Sequence, residues 1–211
     1  MTRTRDHFSA ISHLLGAALS VAGLIVLVVY AARHSLPWHV VGFSIFGASL
    51  ILLYAASTTY HALRIGSRAR RVLQRIDHSL IYVLIAGTYT PICLTALRGP
   101  WGWTLFGVTW AFAIAGILIK SLTRVRGWVS TLFYILMGWL AVVAFVPLKS
   151  ALSPAGLGWL FLGGFFYTVG AGFFGLDALY PSDRWFNLHD LFHLFVLAGS
   201  ASHFMLMLEL L

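Results

Sequence analysis

Charge is what this chain has least of. Only 9% of its 211 residues are Asp, Glu, Lys or Arg, while 60% are hydrophobic. A water-soluble domain carries about a quarter charged residues, so that class is excluded and an integral membrane protein with one helical-bundle domain is expected. Cysteine is nearly absent too. Cys93 stands alone inside an apolar run, which excludes a disulfide framework and a thiolate metal site. Internal repeats and low-complexity segments are missing. No apolar run carries the paired Gly/Pro interruptions that mark the discontinuous helices of transporters. The net charge is +8, but the basic residues fall between apolar runs rather than along one face. That pattern points to topology and lipid headgroups, not to nucleic acid.

What is there is a series of apolar stretches. A spanning helix needs roughly 20 mostly apolar residues, and seven stretches qualify: about 10–32, 40–63, 76–97, 101–121, 128–148, 157–176 and 188–210. The fold class expected is therefore all-α, a seven-transmembrane helix bundle in a single domain over 1–211. The short basic start at 1–6 precedes a stretch long enough to span, which reads as the first helix rather than a cleaved signal. The sizeable loop is 64–75. Trp38, Trp101, Trp103, Trp128, Trp159 and Trp185 fall near stretch ends, as an interfacial aromatic belt requires. Alternating sides along the chain gathers Arg3, Arg5, Arg64, Arg68, Arg70, Arg71, Arg75, Lys120, Arg124, Arg126 and Arg184 on one face of the membrane. Only Arg33, Arg98 and Lys149 fall on the other. The positive-inside rule then puts the N-terminus in the cytoplasm and the C-terminus outside.

Titratable side chains are costly inside such stretches, about 2.5–3.5 kcal/mol or more at the bilayer centre. His61 ends the second stretch in S-T-T-Y-H, with Ser57 one turn earlier on the same face. His189 and His193 open the seventh in H-D-L-F-H, one turn apart. The topology brings these three His to one depth, with Asp77 opening the third stretch beside them. Three neutral imidazoles and an open position are the ligand set of a catalytic zinc, and Zn2+ is the metal expected. Asp77 would hold or deprotonate the bound water, and Ser57 would hydrogen-bond within the site. The duller readings are a loop salt bridge for Asp77, a back-bond to its own helix for Ser57, and hydrogen-bonded core or interface roles for His13, His34, His39 and His78. His203 lies about 21 Å along the helix from His189 and cannot join the same ion. H-D-L-F-H resembles the H-E-x-x-H of zinc proteases, but Asp190 points about 100° away from His189 and is a poor base.

S-T-T-Y-H, then R-I-D-H-S-L-I-Y-V-L-I-A-G-T-Y-T-P, then H-D-L-F-H-L-F-V-L-A-G-S-A-S-H-F together resemble the hemolysin III branch of the progestin and adiponectin Q receptor (PAQR) family, over nearly the whole chain. The resemblance implies seven helices, a cytoplasmic N-terminus, a bacterial inner (plasma) membrane location and zinc on three His, which map onto His61, His189 and His193. The family's Ser and Asp near that metal fall on Ser57 and Asp77. Asp6 and His13 match an acidic residue and a His around the first helix, whereas Ser9 stands where Asn is common. Relatives often carry Glu or Gln after the first His of the last motif, which again argues against Asp190 as a base.

Three functions follow as expectations. The first is a zinc-dependent hydrolase of a lipid, with an amide the bond that the ceramidase-like members of the wider family suggest and the lipid tail among the helices. The second is a non-enzymatic sensor or regulator of membrane homeostasis, with zinc tying helices together. The third is a cytolytic, haemolysin-like protein, for which no toxin-like feature is seen. The partners expected are membrane lipids, a lipid substrate or a small effector, and no nucleic acid.

Overall fold

Three of the helices begin on proline, where the missing N–H costs nothing and the fixed φ suits the first turn. The computed structural model describes residues 5–63, 66–123, 127–180 and 186–211, with the side chains of residues 5, 6 and 178 outside that description. Among the described residues the regular structure is helical throughout: α1 (Arg5–Arg33), α2 (Pro37–Ala62), α3 (Ser67–Leu94), α4 (Pro100–Leu122), α5 (Gly127–Gly138), a 3-10 turn (Trp139–Val142), α6 (Phe145–Ala151), α7 (Pro154–Leu179) and α8 (Leu188–Glu209). Pro37, Pro100 and Pro154 open α2, α4 and α7. Gly99, at φ 148°, makes the turn into Pro100 that a side chain would resist. Ser153 caps α7 by accepting from the Gly156 amide, and Asn187 caps α8.

Five helices are long and apolar enough to cross a membrane, and a sixth span results if Gly127–Val142 and Phe145–Ala151, bent by 57°, count as one. The outward faces agree with this. Leu, Ile and Val such as Ile11, Leu14, Leu19, Ile25, Leu122 and Val146 are exposed, while serines and threonines lie inside. Such a surface would be an aggregation hazard in water and is ordinary against lipid. The chain is a multi-span helical membrane protein. Several buried hydroxyls return their protons to their own helices, as Thr88 does to the Leu84 carbonyl at 2.8 Å and Thr90 to Ala86 at 2.8 Å.

Two expectations need correction. The loop expected over 64–75 is helix from Ser67 onward, where α3 starts, and residues 64 and 65 lie outside the described residues. Its first turns hold Arg68, Arg70 and Arg71, good helix formers that read as loop only because they are charged. Asp77 therefore lies about three turns inside α3 instead of opening it. The stretch 128–148 is likewise not one straight helix but α5, the 3-10 turn and α6. The break is held by Tyr89 of α3, whose hydroxyl donates to the Gly138 carbonyl at 2.6 Å and accepts from the Ala141 amide at 2.8 Å.

α2 runs through the middle, its Phe43, Phe46, Leu50 and Leu53 meeting Leu84 and Ile92 of α3 and Leu206 and Met207 of α8 in the main core. α1 packs on α2 and α8, α7 on α8, and α5 bridges α3, α4 and α7. At Gly42, α2 comes so close to α3 that an added Cβ would sit 2.8 Å from the Pro91 Cα. Ser200 ties α2, α7 and α8, accepting from Tyr54 at 2.6 Å and bonding the Tyr167 hydroxyl at 2.8 Å.

Candidate metal centre

His61, at the end of α2, and His189 and His193, in the first turns of α8, each offer a ligand atom, and these atoms lie within 4.8 Å of one another. The Nε2 atoms of His189 and His193 are 3.1 Å apart. Two nitrogens on one tetrahedral ion with bonds of about 2.0–2.1 Å stand about 3.3 Å apart, so the cluster fits a metal on geometry. It also fits on chemistry, since three imidazoles are an established ligand set and no thiol competes. His61 and His193 are buried and His189 is half-buried. The cluster is compatible with a metal site.

The supports around the cluster come from several helices. Asp177 of α7 places a carboxylate oxygen 3.9 Å from His189 Nδ1, the kind of partner that orients a ligand ring. His13 of α1 lies against His193, ring centroids 3.8 Å apart, and edge-on to Tyr54 at 4.9 Å. His13 is 3% exposed, and neither of its ring nitrogens makes a hydrogen bond among the described residues. The plain core role expected for it therefore does not describe its surroundings. His34 and His39 do behave as ordinary hydrogen-bonded residues, on the Tyr30 and Leu210 carbonyls. Asp6 lies outside the residues whose side chains are described.

Asp190 is fully buried and structural in its contacts. Its Oδ1 accepts from Ser9 Oγ at 2.8 Å and its Oδ2 from the Asn187 amide at 3.1 Å, closing a capping box whose other half is Asn187 Oδ1. Ser9 thus ties α1 to the first turn of α8, the turn that carries His189. Nothing in the residue spacing announced this pairing, which crosses 181 positions.

Asp77 and Ser57 meet on the other side of the triad. Both are buried, and Ser57, His61 and Lys120 are the groups that act on the Asp77 carboxylate. A buried carboxylate needs such compensation. Asp77, Ser57 and Lys120 border one cavity of about 150 Å³, as do His189 and His193 of the triad. It runs along α3 from Asp77 to Ile92 and along α8 from His189 to His203, about 21 Å by helical rise. Its wall is mostly apolar, with Ile81, Ile85, Ile135, Leu160, Phe161 and Val196, interrupted by hydroxyls such as those of Thr88, Ser130, Thr131 and Thr168. His203 borders the same trough at its far end, stacked on Tyr167 with ring centroids 5.4 Å apart and outside the triad. Lys120, read from the sequence as a topology residue only, borders it as well.

The sequence profile described as haemolysin-III related matches residues 1–204. Hemolysin-3 of Bacillus cereus is 46% identical over 198 residues, which cover 93% of this chain and 87% of that protein. A Hemolysin-3 homolog of Bacillus subtilis (strain 168) is 42% identical over 200 residues, 93% of this chain and 89% of that protein.

Proposed function

The chain belongs to the haemolysin-III related family, and on that premise we propose that it is a zinc-dependent hydrolase of a membrane lipid, an acyl amide being the bond of choice. The observation that carries the proposal is the trough: a mostly apolar cavity bordered at one end by His189 and His193, two of the three converging imidazoles, and by the buried Asp77 and Ser57. A purely structural tie between α2 and α8 needs the imidazoles but has no use for an acyl-sized trough opening on them. Bound zinc would supply Lewis acidity and a water whose pKa lies near 7. His61, His189 and His193 would hold the ion through neutral nitrogens. Asp77 would orient the attacking water and take its proton, and Ser57, which borders the same cavity, would hydrogen-bond within the site. The apolar wall would align the acyl chain and keep bulk water from the reacting group.

Seven spans follow if α3 crosses beside the five helices and the bent pair. The basic residues then put the N-terminus and the triad on the cytoplasmic side of the plasma membrane. The test is Asp77→Asn. The amide is nearly isosteric, so zinc stoichiometry and melting temperature should stay at the wild-type value. Release of fatty acid from bacterial lipid extracts should fall about 10²–10⁴-fold, the worth of a general base. Wild-type protein with full zinc and no chelator-sensitive hydrolysis would overturn the enzyme reading and leave zinc as the structural element of a membrane sensor.

A further inference from the structure

We propose that Lys120 and Tyr134 form an anion subsite on the wall of the trough, so that the cavity selects amphiphiles with a carboxylate or phosphate headgroup. The inference rests on the reading of the trough as a lipid-tail site.

A lysine in the last turn of a spanning helix ordinarily extends away from the protein to reach the lipid headgroups. Lys120 does not. It is half-buried on the cavity wall, its Nζ donating to the Tyr134 hydroxyl at 3.2 Å and lying 5.7 Å from the centre of that ring. Tyr134 is itself fixed, because its hydroxyl donates to the His78 carbonyl at 2.8 Å, one residue after Asp77. The phenol oxygen is thereby turned to accept from the lysine, and the ammonium is held in place by α3 and α5 together.

An ammonium has three N–H donors. Tyr134 takes one, and among the described residues Lys120 makes no second hydrogen bond and reaches no carboxylate at ion-pair distance. Asp77 borders the same cavity and acts on Lys120 through space. Ser57 and His61 act on the same carboxylate, which makes no ion pair with the ammonium among the described residues. The remaining histidines on this end of the trough are His13, His78, His189 and His193, none of which supplies a negative charge. A preset cation with donors to spare beside an apolar trough is the recognition element for an anion attached to a hydrocarbon chain. The triad approaches this end from α2 and α8, and Lys120 and Tyr134 from α4 and α5, so the headgroup would sit between the two.

The experiment measures binding of tritiated palmitate to the purified full-length protein in neutral detergent, with displacement by hexadecanol and by lysophosphatidic acid. Palmitate should outcompete hexadecanol by about 10- to 100-fold, the worth of a charge-assisted hydrogen bond expressed as affinity. Lys120→Met should erase that preference and Lys120→Arg should keep it, both with wild-type zinc content. Lys120→Gln serves as a second neutral variant if the methionine protein does not fold. The relative strength of palmitate and lysophosphatidic acid identifies carboxylate or phosphate as the source of the anion. Repeating the series in His193→Ala separates Lys120 from zinc. A preference that survives Lys120→Met, or that disappears with His193→Ala instead, overturns the subsite. Equal binding of palmitate and hexadecanol by the wild type overturns the subsite and spares the lipid trough. Failure of all three amphiphiles to bind overturns both.

Discussion

Replacing Asp190 by alanine tests whether the carboxylate within H-D-L-F-H is scaffolding or chemistry. Asp190 is wholly enclosed and accepts two hydrogen bonds, from Ser9 at 2.8 Å and from the Asn187 amide at 3.1 Å. Ser9 is also wholly buried, so alanine leaves its hydroxyl and one cap amide with no acceptor. Hydrogen bonds to an ionised group are worth about 1.5–3 kcal/mol each. Two of them, less the relief of no longer burying a carboxylate, give a cost of about 3–5 kcal/mol. For a chain of this size about 1 kcal/mol moves the melting temperature by 2–4 °C, so Asp190→Ala should melt roughly 6–20 °C below the wild type. The damage falls on the turn that carries His189, and zinc affinity should drop with it. Excess zinc should restore part of the stability by mass action. Asp190→Asn keeps an acceptor and should lose only about a third of that stability. The assay is thermal unfolding in detergent, followed by tryptophan fluorescence with and without chelator, beside elemental analysis of the same sample. The reasoning is refuted if Asp190→Ala melts within about 2 °C of the wild type, and doubly so if it keeps its zinc yet loses hydrolysis.

Other outcomes are as definite. His193→Ala should abolish zinc binding and His203→Ala should leave about one ion per chain, since His203 stacks on Tyr167 outside the triad; elemental analysis reads both. Ligation needs neutral imidazoles, so zinc should be retained above the ordinary His pKa of about 6.5 and released as the pH falls through and below it. Dialysis at stepped pH measures this. Gly42→Ala should cost about 1–3 kcal/mol, because the new Cβ meets Pro91 backbone at 2.8 Å and backbone yields poorly; a melting temperature equal to wild type would show that α2 and α3 can separate freely. Reporter fusions should place the C-terminus outside the cell, and a cytoplasmic C-terminus would reverse the side assigned to the triad.

How much of this was legible in the sequence depended on what each residue costs. His61, His189 and His193 stood out because imidazoles are expensive in apolar stretches and their spacing sets two of them on one helix face. The start of α3 was hidden because Arg68, Arg70 and Arg71 look like a loop to a hydropathy reading, although arginine is a good helix former. The break after Gly138 was hidden for the opposite reason. The run 128–148 is apolar throughout, and the group that makes the break tolerable, Tyr89, lies on another helix. Ser9, Asp190 and Asp177 escaped for a third reason, since each gains its meaning from a partner brought close only by folding. Lys120 was counted as one charge among eleven on its side, and a count of charges discards where each ammonium points.

The Tyr89 hydroxyl at the helix break also bears on how the chain is made. A segment whose Gly138 carbonyl and Ala141 amide both lean on a phenol from another helix is poorly suited to enter hydrocarbon alone, because each under-satisfied backbone group is costly there. Its partner lies about fifty residues upstream, so α3 has left the ribosome before the broken segment emerges. The order of the genes' reading thus supplies the phenol first and the backbone that needs it second. A circular permutant that delivered 127–151 ahead of α3 would ask the insertion machinery to hold an incomplete segment until its partner arrived.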